Sequence, residues 1–469
     1  MNTDFLKDRV RHIHFVGIGG AGMSGIAEVL LTQGYTVSGS DLVESPGIVR
    51  LRKLGAQIFV DHQAEHIKDA EVLVQSTAID CHNPEIIAAH LSRIPVIPRA
   101  EMLAELMRFK YGIAIAGTHG KTTTTSLIAH LLAHAHLDPT FVIGGKLNST
   151  GSNAHLGRSP YFIAEADESD ASFLYLYPIL SVVTNIDADH MATYQGDFCK
   201  LQQTFIQFLH NLPFYGLAIL CVDDPIVKTI LPQVARPMVT YGFAPDADLY
   251  AGQWRQEGRM SHFTVQRREK PPLAIDLNLP GRHNVLNTLA AIAVGTELKI
   301  PDPVIQNAFA DFQGVDRRFQ IQGHIHFEHG SAVLVDDYGH HPQEIRATCE
   351  AAHQVWPNQK IIMVFQPHRY SRTHDFFHEF VECLAAVDQL FLLDIYPAGE
   401  DPIPGIDSPS LCEKIKGRSV AAPYYIQNYE ALVFYLTKTV REGDVLLTQG
   451  AGNVGELSLK LMQDFGGKK

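Results

Sequence analysis

The chain has 469 residues, 46% of them hydrophobic and 19% charged, with a formal net charge of −13. That length suits about three domains, and the composition is that of a globular protein, not of a disordered or fibrous one. The negative balance leaves no basic surface for nucleic acid or anionic lipid, so any anionic substrate must be met by local positive charge. No apolar run reaches membrane-spanning length. The first residues are charged and lead straight into a strand and glycine turn, which is not a signal peptide. The expected location is cytoplasmic, without membrane insertion. Cys81, Cys199, Cys221, Cys349, Cys383 and Cys412 form no C-x-x-C pair. They are expected to be free thiols, not disulfide or zinc ligands.

The first element is a strand at 12–16, followed by Gly17-Ile18-Gly19-Gly20-Ala21-Gly22 and a helix over 23–33. A second strand at 35–40 ends at Asp41. This G-x-G-x-x-G with an acidic residue about 20 positions on is a dinucleotide-binding fingerprint, and it makes an NAD-dependent dehydrogenase one reading. Two features weaken it. A second G-x-G-x-x-G occurs at Gly450, Gly452 and Gly455, and the N-terminal unit stops near Arg108, closer to one mononucleotide-binding half than to two. Further helices are expected at 48–54, 84–92 and 99–109, and strands at 57–60 and 71–77. A nucleotide diphosphate fits such a unit, with its phosphates on the turn that carries Gly19, Gly22, Met23 and Ser24. Asp41, Ser76 and Arg99 lie at strand ends or helix starts, where ligands of open α/β sheets sit. Each is equally a turn or cap residue.

The most informative stretch is 112–134, a strand, a glycine loop and a helix. Gly117-Thr118-His119-Gly120-Lys121-Thr122-Thr123 is a shortened P-loop. Its glycines let backbone N–H groups converge on phosphate oxygens, and the helix that follows points its positive end there. Lys121 can reach the β and γ phosphates, and the Thr122 hydroxyl can ligate Mg²⁺. The full Walker pattern wants glycine where Ile115 stands. A strand at 161–164 ends in Glu165-Ala166-Asp167-Glu168-Ser169-Asp170, and another at 179–184 ends in Asn185-Ile186-Asp187-Ala188-Asp189-His190. In a parallel sheet these carboxyl ends gather beside the P-loop, so Glu165 and His190 could both reach Mg²⁺. On chemistry alone Glu165 is the better ligand. His130 and His134, four apart on the P-loop helix, are expected to face solvent or a partner.

A strand at 217–221 follows, and the alternation over 248–279 predicts a small antiparallel subsheet. Gly281-Arg282-His283-Asn284-Val285-Leu286-Asn287 opens a helix with Asn284 and Asn287 on one face. Capping is the plain alternative for either. Beyond residue 320 strands and helices alternate: strands at 332–335, 360–365, 389–394, 423–426 and 445–448, helices at 342–355, 374–387, 411–415, 429–440 and 455–465. This predicts another doubly wound domain. Asp336-Asp337-Tyr338-Gly339-His340-His341 ends its first strand. Gln366-Pro367-His368-Arg369-Tyr370-Ser371-Arg372-Thr373 ends its second. The Arg369 and Arg372 guanidiniums can bind carboxylates or phosphates bidentately. Salt bridging within the domain is the alternative for either alone.

GTHGKTT (117–123), EADESD (165–170), TNIDADH (184–190), GRHNVLN (281–287), GVDRRF (314–319), DDYGHHP (336–342) and QPHRYSRT (366–373) together resemble the Mur ligase family, in order and over essentially the whole chain. The resemblance implies an α/β fold in three domains. These are a Rossmann-like UDP-sugar domain over 1–108, a central P-loop ATPase domain over 109–320 and a Rossmann-like C-terminal domain over 321–469 that closes over ATP and binds the amino acid. The central domain would have a parallel sheet plus a small antiparallel subsheet. It implies ATP and Mg²⁺, with Lys121 and Thr122 holding phosphates and metal, and Glu165 and His190 completing the metal site. His283, Asn284, Asn287, Arg318 and Asp337 would meet ATP. Tyr338, His340, Arg369 and Arg372 would surround the acyl group and the amino acid. GIGGAGMSGIA (17–27), DDYGHHP and QPHRYSRT match best the members that join L-alanine to UDP-N-acetylmuramate. Members that attach a murein tripeptide to the same nucleotide sugar are the alternative. No lysine is assigned a carbamate, because the register around Lys200 does not match. A monomer or homodimer is expected.

Overall fold

The computed structural model describes residues 9–467 except 150, 269 and 420. Three sheets follow one another along the chain. The first comprises β1 (His12–Val16), β2 (Thr36–Ser40), β3 (Gln57–Phe59), β4 (Val72–Gln75) and β5 (Val96–Pro98). It is wholly parallel, in the order β3-β2-β1-β4-β5. Parallel neighbours require crossovers, and helices Ala21–Thr32, Pro46–Lys53 and Pro84–Leu91 supply them. Ser45 and Asn83 cap two of these helices, each followed by proline in the first turn. The sequence reading omits β5, which is Val96 and Ile97 closed by Pro98, directly after Pro95, and carries no periodic signal. Below β1 and β2 lies a polar core. Fully buried Glu85 accepts hydrogen bonds from Ser40 Oγ at 2.5 Å and pairs with His66 Nδ1 at 2.9 Å. The Ser40 carbonyl in turn accepts the N–H groups of Gly17 and Ile18, at 2.9 and 3.0 Å, which anchors the glycine turn.

The second sheet holds β6 (Tyr111–Ala116), β7 (Thr140–Leu147), β8 (Ser152–His155), β9 (Tyr161–Glu165), β10 (Leu180–Val183), β11 (Leu217–Cys221), β12 (Met238–Gly242), β13 (Leu249–Glu257), β14 (Met260–Arg267) and β15 (Lys270–Leu277). Its order is β15-β14-β13-β12-β11-β10-β6-β9-β7-β8. β6 lies between β9 and β10, parallel to both. β13 and β14 are joined by two residues, a length that only a hairpin allows. Buried and open positions alternate along β14, as a one-sided subsheet requires.

The third sheet comprises β16 (Gln320–Phe327), β17 (Gly330–Asp337), β18 (Ile361–Phe365), β19 (Gln389–Leu393), β20 (Tyr424–Ile426) and β21 (Asp444–Gln449), in the order β16-β17-β21-β18-β19-β20. All pairs are parallel except β16 with β17. β16 escapes the sequence reading because it is a polar edge strand in which only Ile325 is fully buried. The helix expected over 374–387 is two, Tyr370–Asp375 and Phe377–Ala385, divided at Phe376.

By internal packing the chain divides into two units. One is Met1–Gln253 with Phe263–Ile275 and Leu286–Gln313, and the other is Trp254–His262, Asp276–Val285 and Gly314–Lys469. All six cysteines are free thiols, and among the described residues no helix is long and apolar enough to cross a membrane.

Candidate functional site

In the first unit the loop after β6 is the centre. Helix Lys121–His134 starts directly from Gly120, its N-cap, so its free N–H groups converge on the loop mouth. Because β9 and β10 flank β6, Glu165 and the 184–190 loop end on either side of it. The loop is stapled to the β10 side. Thr118 N donates to Asn185 O at 3.1 Å, and His119 N to Asn185 Oδ1 at 2.8 Å. Thr184 Oγ1 donates to His119 O at 2.6 Å, and His119 Nε2 faces Asp187 Oδ2 at 3.3 Å. The approach is so close that a Cβ at Gly117 would lie 2.1 Å from Thr184 Oγ1, on a backbone with φ of +131°. Only glycine fits there.

Lys121 Nζ donates to Gly117 O at 2.6 Å, to Thr118 O at 3.2 Å and to both carboxylate oxygens of buried Glu168, at 2.9 and 2.7 Å. Burial alone would lower the lysine pKa. The charges of Glu168 and Asp167 outweigh it and hold the ammonium above its ordinary value, so Lys121 stays a cation. Asp167 is raised by burial but drawn further down by Lys121 and Arg99, and ends below its ordinary value. Thr122 and Thr123 are buried in the first helical turn, and Thr124 Oγ1 reaches Asn287 Oδ1 at 3.2 Å. Asn287 thus stands directly over Gly120, while Asn284 Nδ2 donates to Pro280 O at 2.7 Å. Glu165 Oε1 accepts the Gly144 N–H at 2.8 Å, and His190 lies 3.4 Å from Asp189 Oδ2. The threonine hydroxyl, the Glu165 carboxylate and the loop's N–H groups are hard donors and anion-binding dipoles, a set that fits Mg²⁺-bound phosphates.

The glycine turn of the first sheet lies in the same unit. Gly19 N donates to Asp41 Oδ2 at 2.8 Å, and Asp41 Oδ1 accepts the Leu42 N–H at 2.8 Å. Asp41 is therefore a turn-forming residue here. Met23 and Ser24 are buried on the helix that follows, and Ser76 N closes the β4 end on Val16 O at 3.1 Å. Arg99 lies against Gly22 and pairs with Asp167 at 3.3 Å. It thereby ties the glycine turn to the carboxylate cluster beside the P-loop. Of the two histidines on the P-loop helix, His130 packs edge-on against Phe312, with centroids 5.2 Å apart. It is core-facing, contrary to the sequence reading. Lys200 pairs with Gln195.

In the second unit, β17 and β18 deliver their end loops side by side, with β21 between them. Asp337 is buried, and burial raises its pKa. It accepts Phe319 N and Gly339 N, both at 2.8 Å, and so shapes the turn. His340 Nδ1 lies 3.1 Å from Tyr338 O, and His340 N donates to Glu344 Oε2 at 2.8 Å. His340, His368 and Tyr396 form a run of rings with centroid spacings of 5.6 and 5.5 Å. Arg372 is buried beside His368, its Nη1 3.3 Å from Nδ1. Arg369 is half-exposed, 3.6 Å from Glu400. Arg318 lies over the Tyr338 ring at 5.1 Å and 3.9 Å from Glu344. Glu168, Asn185, Glu344 and His368 were not singled out from sequence. Glu168, Asn185 and His368 fall inside polar strand-end clusters that were, whereas Glu344 lies in the first turn of the helix that follows such a cluster.

Burial lowers the pKa of His340 to about 3 and of His283 to about 4. Both stay neutral when folded, whereas the unfolded chain takes up a proton at each near pH ~6.5. The unfolded state therefore binds more protons below that pH, and stability falls as pH drops from ~6.5 towards ~4. The expected cost is on the order of 1 kcal/mol per histidine per pH unit. Denaturant unfolding of the wild type and of His340→Asn between pH 7.5 and 5 checks it. The variant should lose about one proton from the slope, and an unchanged slope would assign the acid lability elsewhere.

The Mur ligase family catalytic domain matches residues 12–111, the Mur ligase middle domain 115–295, and the "Mur ligase, glutamate ligase domain" 317–452. The UDP-N-acetylmuramate–alanine ligase of Thermotoga maritima is 30% identical over 97% of this chain and 98% of its own, with a TM-score of 0.82. A ligase of UDP-N-acetylmuramate and L-alanyl-γ-D-glutamyl-meso-diaminopimelate from Neisseria meningitides is 28% identical over 66% of this chain and 100% of its own, with a TM-score of 0.61. A MurF ligase of Thermotoga maritima, solved with ADP, shares the fold at 15% identity, covering 92% of this chain and 94% of its own, with a TM-score of 0.62.

Proposed function

The chain belongs to the Mur ligase family, and we propose that it joins L-alanine to the lactyl carboxylate of UDP-N-acetylmuramate while ATP is cleaved to ADP and phosphate. Membership alone makes it an ATP-dependent amide-forming ligase of peptidoglycan precursors. The alanine assignment is carried by the likeness over 97% of the chain to the UDP-N-acetylmuramate–alanine ligase.

A carboxylate and an amine do not condense at neutral pH, because oxide is a very poor leaving group. Phosphorylating the carboxylate replaces it with phosphate. The proposed domains are 1–108 for the UDP-sugar, 109–320 for ATP and 321–469 for the amino acid. The loop Gly117–Thr123 and the end of helix Lys121–His134 hold the triphosphate, and Lys121 offsets charge as the γ-phosphoryl moves to the lactyl oxygen. Thr122, Glu165 and His190 would hold Mg²⁺, which would supply further charge neutralisation. His283, Asn284, Asn287, Arg318 and Asp337 serve the nucleotide, with Asp337 acting by shaping its turn. The turn of Gly19, Gly22, Met23 and Ser24 receives the diphosphate of the sugar nucleotide, with Asp41, Ser76 and Arg99 around it. Tyr338, His340, Arg369 and Arg372 serve the acyl group and the amino acid. The neutral amine then attacks the acyl phosphate and phosphate leaves. His340, held neutral by burial, orients the partners without adding a charge that would repel the ammonium form on arrival. No enzyme nucleophile is needed.

Phosphate release with ATP, Mg²⁺ and UDP-N-acetylmuramate, with and without L-alanine, tests this. Release that needs both acceptors supports it. Release with a murein tripeptide and not with alanine would reassign the chain to the recycling activity.

A further inference from the structure

The second G-x-G-x-x-G has the setting of a phosphate cradle, after β21 and before helix Val454–Phe465. The group it holds belongs to its own chain. Arg317 Nη2 donates to Gly450 O at 2.6 Å, and Nε donates to Asp336 Oδ2 at 2.8 Å. Gly455 lets the guanidinium lie flat on the backbone, since a Cβ there would be 2.5 Å from Arg317 Cζ. A carbonyl turned into the loop attracts a cation and repels phosphate. The adjoining cavity, about 330 Å³, is lined by Asp316, Asp336 and Glu456 against the single charge of Arg317, which further disfavours an anion.

Arg317 lies three residues after Gly314, where the chain passes into the second unit. The backbone there is strained. Arg317 has φ of +56° and Phe319 of +46°, a left-handed region that L-residues occupy only when neighbours impose it. What imposes it is on either side of the arginine. Arg317 N donates to Gln320 Oε1 at 2.9 Å, Tyr338 N donates to Arg317 O at 2.7 Å, and Phe319 N donates to Asp337. The guanidiniums of Arg317 and Arg318 lie 5.2 and 5.1 Å from the Tyr338 ring centroid.

We propose that Arg317 is a positioning residue for the ligase reaction: docked in the 450–455 loop, it locks residues 314–319 and Tyr338 in the conformation in which Arg318 serves the nucleotide, without itself touching a substrate. This rests on the ligase reading and on the nucleotide role of Arg318. Lysine cannot replace it, because an ammonium cannot serve Gly450 O and Asp336 from one flat fork.

The experiment compares Arg317→Lys, Arg317→Ala, Gly455→Ala and the double variant Arg317→Ala/Gly455→Ala with the wild type. It reads melting temperature, kcat, the KM of each substrate and the affinity for the ATP analogue AMP-PNP. Arg317→Lys is expected to melt within about 4 °C of wild type and to keep its UDP-N-acetylmuramate KM within about 2-fold. Its kcat should fall about 10-fold or more, and its AMP-PNP affinity about 5-fold. Gly455→Ala should reproduce this by expelling the guanidinium, and the double variant should be no worse than Arg317→Ala. Wild-type kinetics in Arg317→Lys, multiplicative effects in the double variant, or an equal loss of sugar-nucleotide and ATP-analogue affinity would each overturn the proposal. A wild type without alanine-dependent turnover would instead sink the ligase reading. AMP-PNP affinity would then still decide on Arg317, with unchanged affinity in Arg317→Lys overturning it.

Discussion

Lys121→Ala is expected to lower turnover on the order of 10³-fold while leaving UDP-N-acetylmuramate affinity within about 2-fold of wild type. The ammonium is held at the loop mouth by the loop's own carbonyls and by Glu168. In the proposed reaction its loss removes charge where the γ-phosphoryl would move, whereas the glycine turn at 17–22 has its own anchors on Ser40 and Asp41. The structure adds a second effect. Glu168 is buried, and its carboxylate faces Lys121 with both oxygens. Removing one partner of a buried pair costs about 3–5 kcal/mol, because the other charge is left in a medium that solvates it poorly. Lys121→Ala should therefore also melt early. Lys121→Ala/Glu168→Gln should regain most of that stability and none of the turnover. Urea unfolding and phosphate release, measured side by side, separate the two roles. A double variant that recovers turnover would mean that Lys121 serves the fold alone, and a matched loss of sugar-nucleotide affinity would mean that the domain division at 108 is wrong.

The sheets were legible in the sequence to the extent that their strands are buried on both faces. β11 and the helix Pro342–Val355 are found at the predicted residues, because a run such as Leu-Ala-Ile-Leu-Cys has one reading between its turn signals. β5, β7, β8, β12 and β16 were not seen. β5 is three residues long, β7 carries a Gly-Gly in its middle, and β16 is a polar edge. Pairing partners far along the chain, not local pattern, make these segments strands. The polar ends of strands were legible as clusters, since four carboxylates in 165–170 suit no core. Which member does what was not. Glu168, not only Glu165, faces the P-loop side, because the chain turns after Ala166 and buries the later carboxylate against Lys121. What the second glycine fingerprint holds could not be read from sequence. Its occupant, Arg317, comes from 133 residues away.

The same limit applied to Arg369 and Arg372, which the sequence presents as an equivalent pair. The structure distinguishes them. Arg369 is half-exposed, has φ of +70° and faces Glu400, a carboxylate that already draws on its charge. Arg372 is 5% exposed, on the helix that starts at Tyr370, and lies beside the His368 ring that continues to His340. A guanidinium in a desolvated setting gains more from a substrate carboxylate than one in contact with water. Arg372→Ala is therefore expected to lower kcat/KM for L-alanine about 10²-fold, at the upper end of the ~1.5–3 kcal/mol of a hydrogen bond to a charged group. Arg369→Ala should cost less than about 10-fold, because exposed ion pairs contribute up to about 1 kcal/mol. Steady-state kinetics with alanine as the varied substrate check the order, and Arg372→Lys should recover only part of the loss, since the point charge returns without the fork. An inverted order, with Arg369→Ala the more damaging, would place the amino-acid carboxylate on the Glu400 side of the loop and make Arg372 a packing residue of the His368 ring.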